Sequence, residues 1–297
     1  MKLNNRGFAI STIMYLILVF AVILTTATLF ILSSRKLVVD NQKNKVLNDI
    51  YNIVCSKVTF STASKKTDGS LIGNVPIGSF LPGDEYTCQV NGERVYHFFV
   101  LSTDTDNVNL ILDRTITSQG LLSTSSLNST VAYLSTSDGS SESDGPVTLF
   151  KFLNSATKSW TNIPNININY VYSNNLKIST NGNLVEIVKD GQTQSVFNNL
   201  KVRVPYESEV ESVGCTGEIN SCPLWISNYL MNNTNITGGT NISGLVGYWT
   251  IPKATQPVKI VDNSGSLKAA TYYGSISNSV VVGVRPVITL SKSKFVN

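Results

Sequence analysis

From Gly7 to Ser34 the chain carries no charged residue, and Phe8 to Leu32 is a run of about 25 mostly apolar residues. As a helix that run is roughly 37 Å long, against a bilayer hydrocarbon core of about 30 Å. The sequence therefore predicts one membrane-spanning helix, tilted or with a protruding end. A cleaved secretory signal has a shorter apolar region, about 7 to 15 residues, before a small-x-small site. Lys2 and Arg6 before the run, with Arg35 and Lys36 after it, speak against a buried core helix. Beyond it, Val39, Val46, Leu47, Ile50, Ile53 and Val54 recur at spacings of three, four and seven, the stripe of an amphipathic helix. The helix is expected to continue as a stalk to about Lys57, giving a segment 8–57 between a leader-like 1–7 and a head at 58–297.

Charge divides along the same boundary. Residues 1–57 hold seven Lys/Arg against two Asp/Glu, and the remainder sixteen against seventeen, so the net +4 arises wholly in the N-terminal part. A near-neutral head lacks the basic footprint that a phosphate backbone requires, and nucleic acid is excluded as a partner. Counting Lys/Arg on the two sides of the apolar run would place the head inside. The cysteines argue the opposite, an extracytoplasmic head on a single-pass cell-membrane protein.

The string RGFAISTIMYLILVF at 6–20 resembles a type IV prepilin N-terminus: a short basic leader ending in Gly7, then Phe8 opening a long apolar helix. The resemblance covers about the first fifty residues. It implies cleavage between Gly7 and Phe8, methylation of the new N-terminus and contact with other pilin-like subunits. The family's glutamate, four residues after the phenylalanine, is here Thr12, which carries no charge to pair with a neighbour's amine.

After residue 60 short β-rich runs alternate with Gly, Asn, Ser and Asp. Tyr96–Ser102 and Asn107–Leu112 flank TDTD and read as an antiparallel hairpin, the aspartates serving the turn rather than a calcium ion. Pro146 opens PVTLFKFLNSATKSW, a helix of about three turns. Leu176–Ile178, Leu184–Val188 and Leu200–Val204 read as strands. Pro205 and the acids Glu207 and Glu209 mark a helix start. YWTI (248–251), VKIV (258–261) and SVVVGVRPVITL (279–290) read as closing strands at the centre of the core. The Ser/Thr/Asp/Gly-rich stretch 117–145 reads as exposed loop.

Four cysteines in an exported domain point to disulfides, with three possible connectivities. Cys215 and Cys222 enclose a short glycine-bearing loop and suit one bridge, which leaves Cys55 with Cys88. Their spacing is not that of a zinc finger, and the one histidine, His97, sits in an expected strand among aromatics. No catalytic triad, phosphate loop, dinucleotide fingerprint or HExxH is present. The sequence reads as a non-enzyme without metal or cofactor.

The order VRVPYESEVES (202–212), GYWTI (247–251), GVRPVITL (283–290), preceded by GDEYTCQV (83–90), FFVL (98–101), GPVT (145–148) and SWTNI (159–163), resembles a bacterial surface-domain family of unknown function. Its fold is similar to the C-type-lectin-like fold of formylglycine-generating enzymes. The resemblance implies an α+β head with antiparallel sheets and a few helices. It carries over neither the enzymes' paired cysteines nor a lectin calcium triplet, since neither is present. Arg285 is expected to clamp a carboxylate or backbone carbonyl. The function expected is surface binding or adhesion toward an extracellular carbohydrate or protein, with a minor pilin or pseudopilin subunit as the alternative. Trp225, Tyr229, Tyr248, Trp249, Tyr272 and Tyr273 are the aromatic candidates for stacking on a sugar ring.

Overall fold

The computed structural model describes residues 14–26, 54–58, 79–123, 129–135, 137–138, 145–173, 176–227, 245–253, 256–270 and 282–296. The chain divides into two units, Met1–Ile53 and Val54–Asn297. In the first, residues 14–26 form helix α1. A helix of that length reaches about 20 Å, and among the described residues no helix is long and apolar enough to cross a membrane. This corrects the spanning helix over 8–32, and with it the single-pass membrane localisation and the fold class built on a long N-terminal helix. Gly7, Phe8 and the rest of the expected span and stalk up to Ile53 lie outside the described residues.

The far end of the expected stalk is extended, not helical. Cys55–Lys57 is strand β1, antiparallel to β2 (Glu85–Gln89) and parallel to β14 (Phe295–Val296). The cause is tertiary. Cys55 lies directly opposite Cys88 and is bonded to it, and ladder bonds on both sides hold the backbone straight. A helical stripe read from local spacing has no term for either constraint.

In the second unit β3 (Val95–Thr103) and β4 (Asn107–Leu112) form the expected hairpin. The Asp104 carboxylate accepts the amides of Asp106 and Asn107 at 2.8 and 2.7 Å, the turn chemistry expected of the TDTD connection. A six-stranded sheet runs β13-β4-β3-β2-β1-β14, with β13 at Val287–Ser291. Phe98 and Val100 point into one apolar cluster, Phe99 and Leu101 into another. Because the sheet is covered on both faces at β3, that strand is apolar without alternation from Phe98 to Leu101.

Helix α2 (Val147–Ala156) follows Pro146 and buries Val147, Leu149, Phe150, Leu153 and Ala156. Phe150 meets Phe197 edge to face at 5.9 Å, which seats the helix on β8 (Gln192–Asn198). That strand ends a four-stranded meander, β5-β6-β7-β8, with β5 at Tyr170–Ser173, β6 at Leu176–Asn181 and β7 at Leu184–Lys189. Asp190 and Gly191 join β7 to β8 with φ of 51° and 76°. Both values lie in the left-handed region that a two-residue type I′ hairpin turn requires.

A third sheet, β11-β10-β9-β12, comprises Leu267–Ala269, Lys259–Asp262, Gly247–Trp249 and Val282–Gly283. The closing strands β12 and β13 bury Val282, Val287, Ile288 and Leu290, in keeping with the expected core position, and each stands at the edge of its sheet. Leu200–Val204 is not a strand; only Arg203 pairs there, with Val287. Helices α3 (Glu207–Ser212) and α4 (Leu224–Ser227) are short. The described residues are thus mostly sheet, with four short helices.

Candidate functional site

Pro205 and the acids after it start α3 as the sequence predicts, and the structure gives each acid a partner. The Glu209 carboxylate caps its own helix by accepting the Tyr206 amide at 2.9 Å. It also receives both ends of the Arg203 guanidinium, at 2.6 and 2.7 Å, and the Ser102 hydroxyl at 2.9 Å. Burial acts to raise the Glu209 carboxyl, but Arg203 and these hydrogen bonds outweigh it, so the group stays below its ordinary range. The Arg203 guanidinium lies 4.2 Å from the centre of the Tyr206 ring, which stacks on Tyr170 at 4.8 Å.

Glu207 is 1% exposed and accepts Lys259 Nζ at 2.6 Å and the Lys253 amide at 3.2 Å. Glu211, one turn on, pairs with the Lys253 ammonium. Two acids and two lysines thereby bolt α3 to the segment around β9 and β10. All three carboxylates of α3 are thus engaged by basic side chains of the fold.

Arg285 is fully buried. Its Nη1 and Nη2 donate to the carbonyls of Ile226 and Trp225 at 2.6 and 2.7 Å, and its Nε donates to Leu112 O. The clamp therefore closes on backbone carbonyls, joining α4 to the end of β4.

The segment between α3 and α4 carries a cystine loop. Cys215 and Cys222 are bonded, and both are buried. The loop between them is tied down outside the bridge as well. Asn220 N donates to Ser264 O at 2.9 Å, Cys222 N to Gly265 O at 2.9 Å, and Leu267 N to Thr216 O at 2.7 Å. The turn that receives the loop is itself organised by the fully buried Asp262. Its carboxylate accepts the amides of Ser264 and Ser266, each at 3.0 Å, and faces Lys268 Nζ at 3.3 Å. On this rigid mount Ile219 stands 67% exposed, and Leu224, just past the bridge, 55%. Sequence reasoning passed over Ile219 and Leu224; an isoleucine at the middle of a six-residue cystine loop is the signal that marks them.

The aromatic candidates fare differently from one another. Tyr248 and Trp249 are buried, the Tyr248 hydroxyl donating to Ile226 O at 3.2 Å and the Trp249 indole to Val131 O at 2.7 Å. Burial pushes the Tyr248 phenol up to about 12. Neither ring has a face free for a sugar. Trp225 is half-buried, 5.9 Å from Phe99 and against Gly83. Tyr229, Tyr272 and Tyr273 lie outside the described residues. Among the described residues no group of three or more His, Cys, Asp or Glu is placed to hold a metal ion.

Comparison of the chain with family models, curated proteins and solved structures gives no match.

His97, on β3, hydrogen-bonds through Nδ1 to Glu85 at 2.7 Å and is half-exposed. That bond, reinforced by the Glu85 and Asp113 charges, holds the imidazole above its ordinary 6.5 against the opposing effects of burial and Arg114. The pair's contribution is therefore fully present below about pH 6.5 and is lost as pH rises through the higher folded value. A pair this exposed contributes less than about 1 kcal/mol. A proton NMR titration of the single imidazole is expected to show the elevated midpoint, and Glu85→Gln to return it to the ordinary value. An unchanged midpoint in Glu85→Gln would show that Glu85 does not hold the proton.

Proposed function

We propose that the second unit is a ligand-binding module that recognises an extracellular protein or carbohydrate through the cystine loop 215–222 and the adjoining start of α4. The observation that carries this reading is the exposed Ile219, on a loop held by a disulfide and by backbone hydrogen bonds to Ser264, Gly265 and Leu267, with the exposed Leu224 just past the bridge. Rigid presentation lowers the entropy lost on binding, and exposed apolar side chains on such a mount supply area to bury. Two disulfides fit a working place outside the reducing cytoplasm. The acids and bases named from the sequence are engaged in holding the fold, which supports binding over catalysis.

The test is direct binding of the full chain to a glycan array and to immobilised matrix proteins such as collagen, fibronectin and laminin. Ile219→Asp combined with Leu224→Asp is expected to weaken the strongest interaction about tenfold or more, since burial of one aliphatic side chain is worth about 1.5–3 kcal/mol. Both positions are exposed, so the variant keeps the fold. Binding unaffected by the double variant, or no binding to either set, overturns the reading.

One observation favours a second reading, a pilin-type structural subunit. Helix α1 exposes Met14, Tyr15, Leu16, Ile17, Leu18, Phe20, Val22, Ile23 and Leu24 by more than half on every side. An apolar helix of that kind suits packing among the same helices of other copies. Mass spectrometry of the terminal peptide distinguishes the two: an N-terminal Phe8 supports a processed subunit, and an intact Met1–Gly7 leader counts against it.

A further inference from the structure

Among the described residues, three of the six outer sheet edges are covered by backbone bonds from another segment, and β5, β8 and β14 are not; of these three β8, with seven residues, is the longest. Along β13, Arg203 exchanges both backbone hydrogen bonds with Val287. Beside β12, Val131 N donates to Val282 O and Thr130 bridges Gly283. On β11, Leu267 N is bonded to Thr216 O. β8 has no such cover: among the described residues its backbone bonds run only to β7, and five of its seven residues are exposed. In an antiparallel ladder alternate residues turn their N–H and C=O groups away from the partner strand. Among the described residues, the backbone donors and acceptors on the outer side of β8 therefore have no partner.

From this edge we infer that β8 is a self-association site, adding antiparallel to β8 of a second copy across a two-fold axis, so that two four-stranded sheets continue as one of eight. The composition of the strand selects a second copy. Gln192–Asn198 reads QTQSVFN, with no Lys, Arg, Asp, Glu or Pro, the residues by which an edge strand ordinarily repels its own kind. A strand without charge has nothing to attract an acidic or basic partner, whereas opposite itself it meets no like charge at any register. An isologous pairing also makes each backbone bond twice. The bulge in β8 between the residues facing Ile187 and Val188 sets the limit of the contact. It twists the first part of the strand away and leaves Ser195–Asn198 straight, which puts the axis close to Val196. That side chain is 47% exposed.

The test is amide hydrogen exchange of the full chain over a concentration series, read on the peptide spanning β8. Protection of the outer amides is expected to rise at least tenfold from the most dilute to the most concentrated sample. In Val196→Lys, two ammonium groups would meet across the axis, and the concentration dependence is expected to vanish. Because Val196 is exposed, the variant folds, and unchanged protection of β3 and β4 verifies it. Val171→Lys, equally exposed on β5 at the far edge of the sheet, is expected to leave the β8 protection intact. Exchange in β8 that is independent of concentration overturns the inference, even if the chain associates by another surface such as α1. Equal loss of protection in both lysine variants overturns it as well.

Discussion

Arg285→Ala is expected to lower the unfolding free energy by about 3–5 kcal/mol, the range for breaking a buried, fully engaged charged group. The guanidinium is fully buried, and its donors reach the carbonyls of Ile226, Trp225 and Leu112. Removing it leaves those acceptors buried without that partner, and each such loss costs about 1–3 kcal/mol. A cavity beside the Tyr248 ring, 5.4 Å from the guanidinium carbon, adds to the loss. Arg285→Lys is expected to recover only part of it, because one ammonium on a flexible stem cannot serve carbonyls on α4 and at the end of β4 together. Denaturant unfolding of both variants reads the effect. A loss below about 1 kcal/mol in Arg285→Ala would show that α4 is held to β4 by other contacts.

The second large effect is expected at Cys55–Cys88. The bridge closes a loop with a sequence separation of 33, against 7 for Cys215–Cys222. Loop-closure entropy assigns about 3–4 kcal/mol to the first and about 2 kcal/mol to the second. The larger loss is also sharply placed, since β1 is three residues long and lies between β2 and β14. Without the bond to Cys88 its ladder bonds alone hold that position. The double variant Cys55→Ala, Cys88→Ala is therefore expected to lose more stability than Cys215→Ala, Cys222→Ala, and to lose hydrogen-exchange protection first in β1 and β14. Equal losses in the two double variants, or β1 protection that survives without the bridge, would sink this account.

Those two interactions differ in how far they can be read from the chain. The short loop at 215–222 suggests one cystine and leaves the other two cysteines for a second, and the structure forms both of these bonds out of three possible connectivities. For Arg285 the sequence offers a clamp on a carboxylate or a backbone carbonyl, and the structure shows the second. Which carbonyls it meets is decided by α4, some sixty residues earlier in the chain, and no local pattern carries that. The β8 edge is the opposite case. A polar strand such as QTQSVFN has too little apolar alternation to register as a strand at all, and it exists because the Asp190–Gly191 turn folds it back on β7 and Phe197 anchors it beneath α2. Tyr248 and Trp249 show the same limit at the site. Aromatic rings beside strands are more often core than sugar platform, and burial with hydrogen bonds to the carbonyls of Ile226 and Val131 makes these two core.

What the sequence by itself determined is local: the β3–β4 hairpin around its aspartate turn, the extent of α2 after Pro146, the start of α3 at its glutamates, and the residues that form the bridges. The elements follow from periodicity, capping and turn chemistry acting over a few residues, and the bridging residues from the number of cysteines in the chain. Tertiary structure alone decided that Cys55–Lys57 is a strand rather than the end of a stalk helix, and that the apolar closing strands stand at sheet edges. It alone also decided that Ile219 and Leu224 are displayed while the tyrosine and tryptophan of GYWTI are enclosed. In each of these the deciding partner lies tens to hundreds of residues away in the chain, and pairing across such distances is set by the competition for burial and backbone hydrogen bonds in the whole fold.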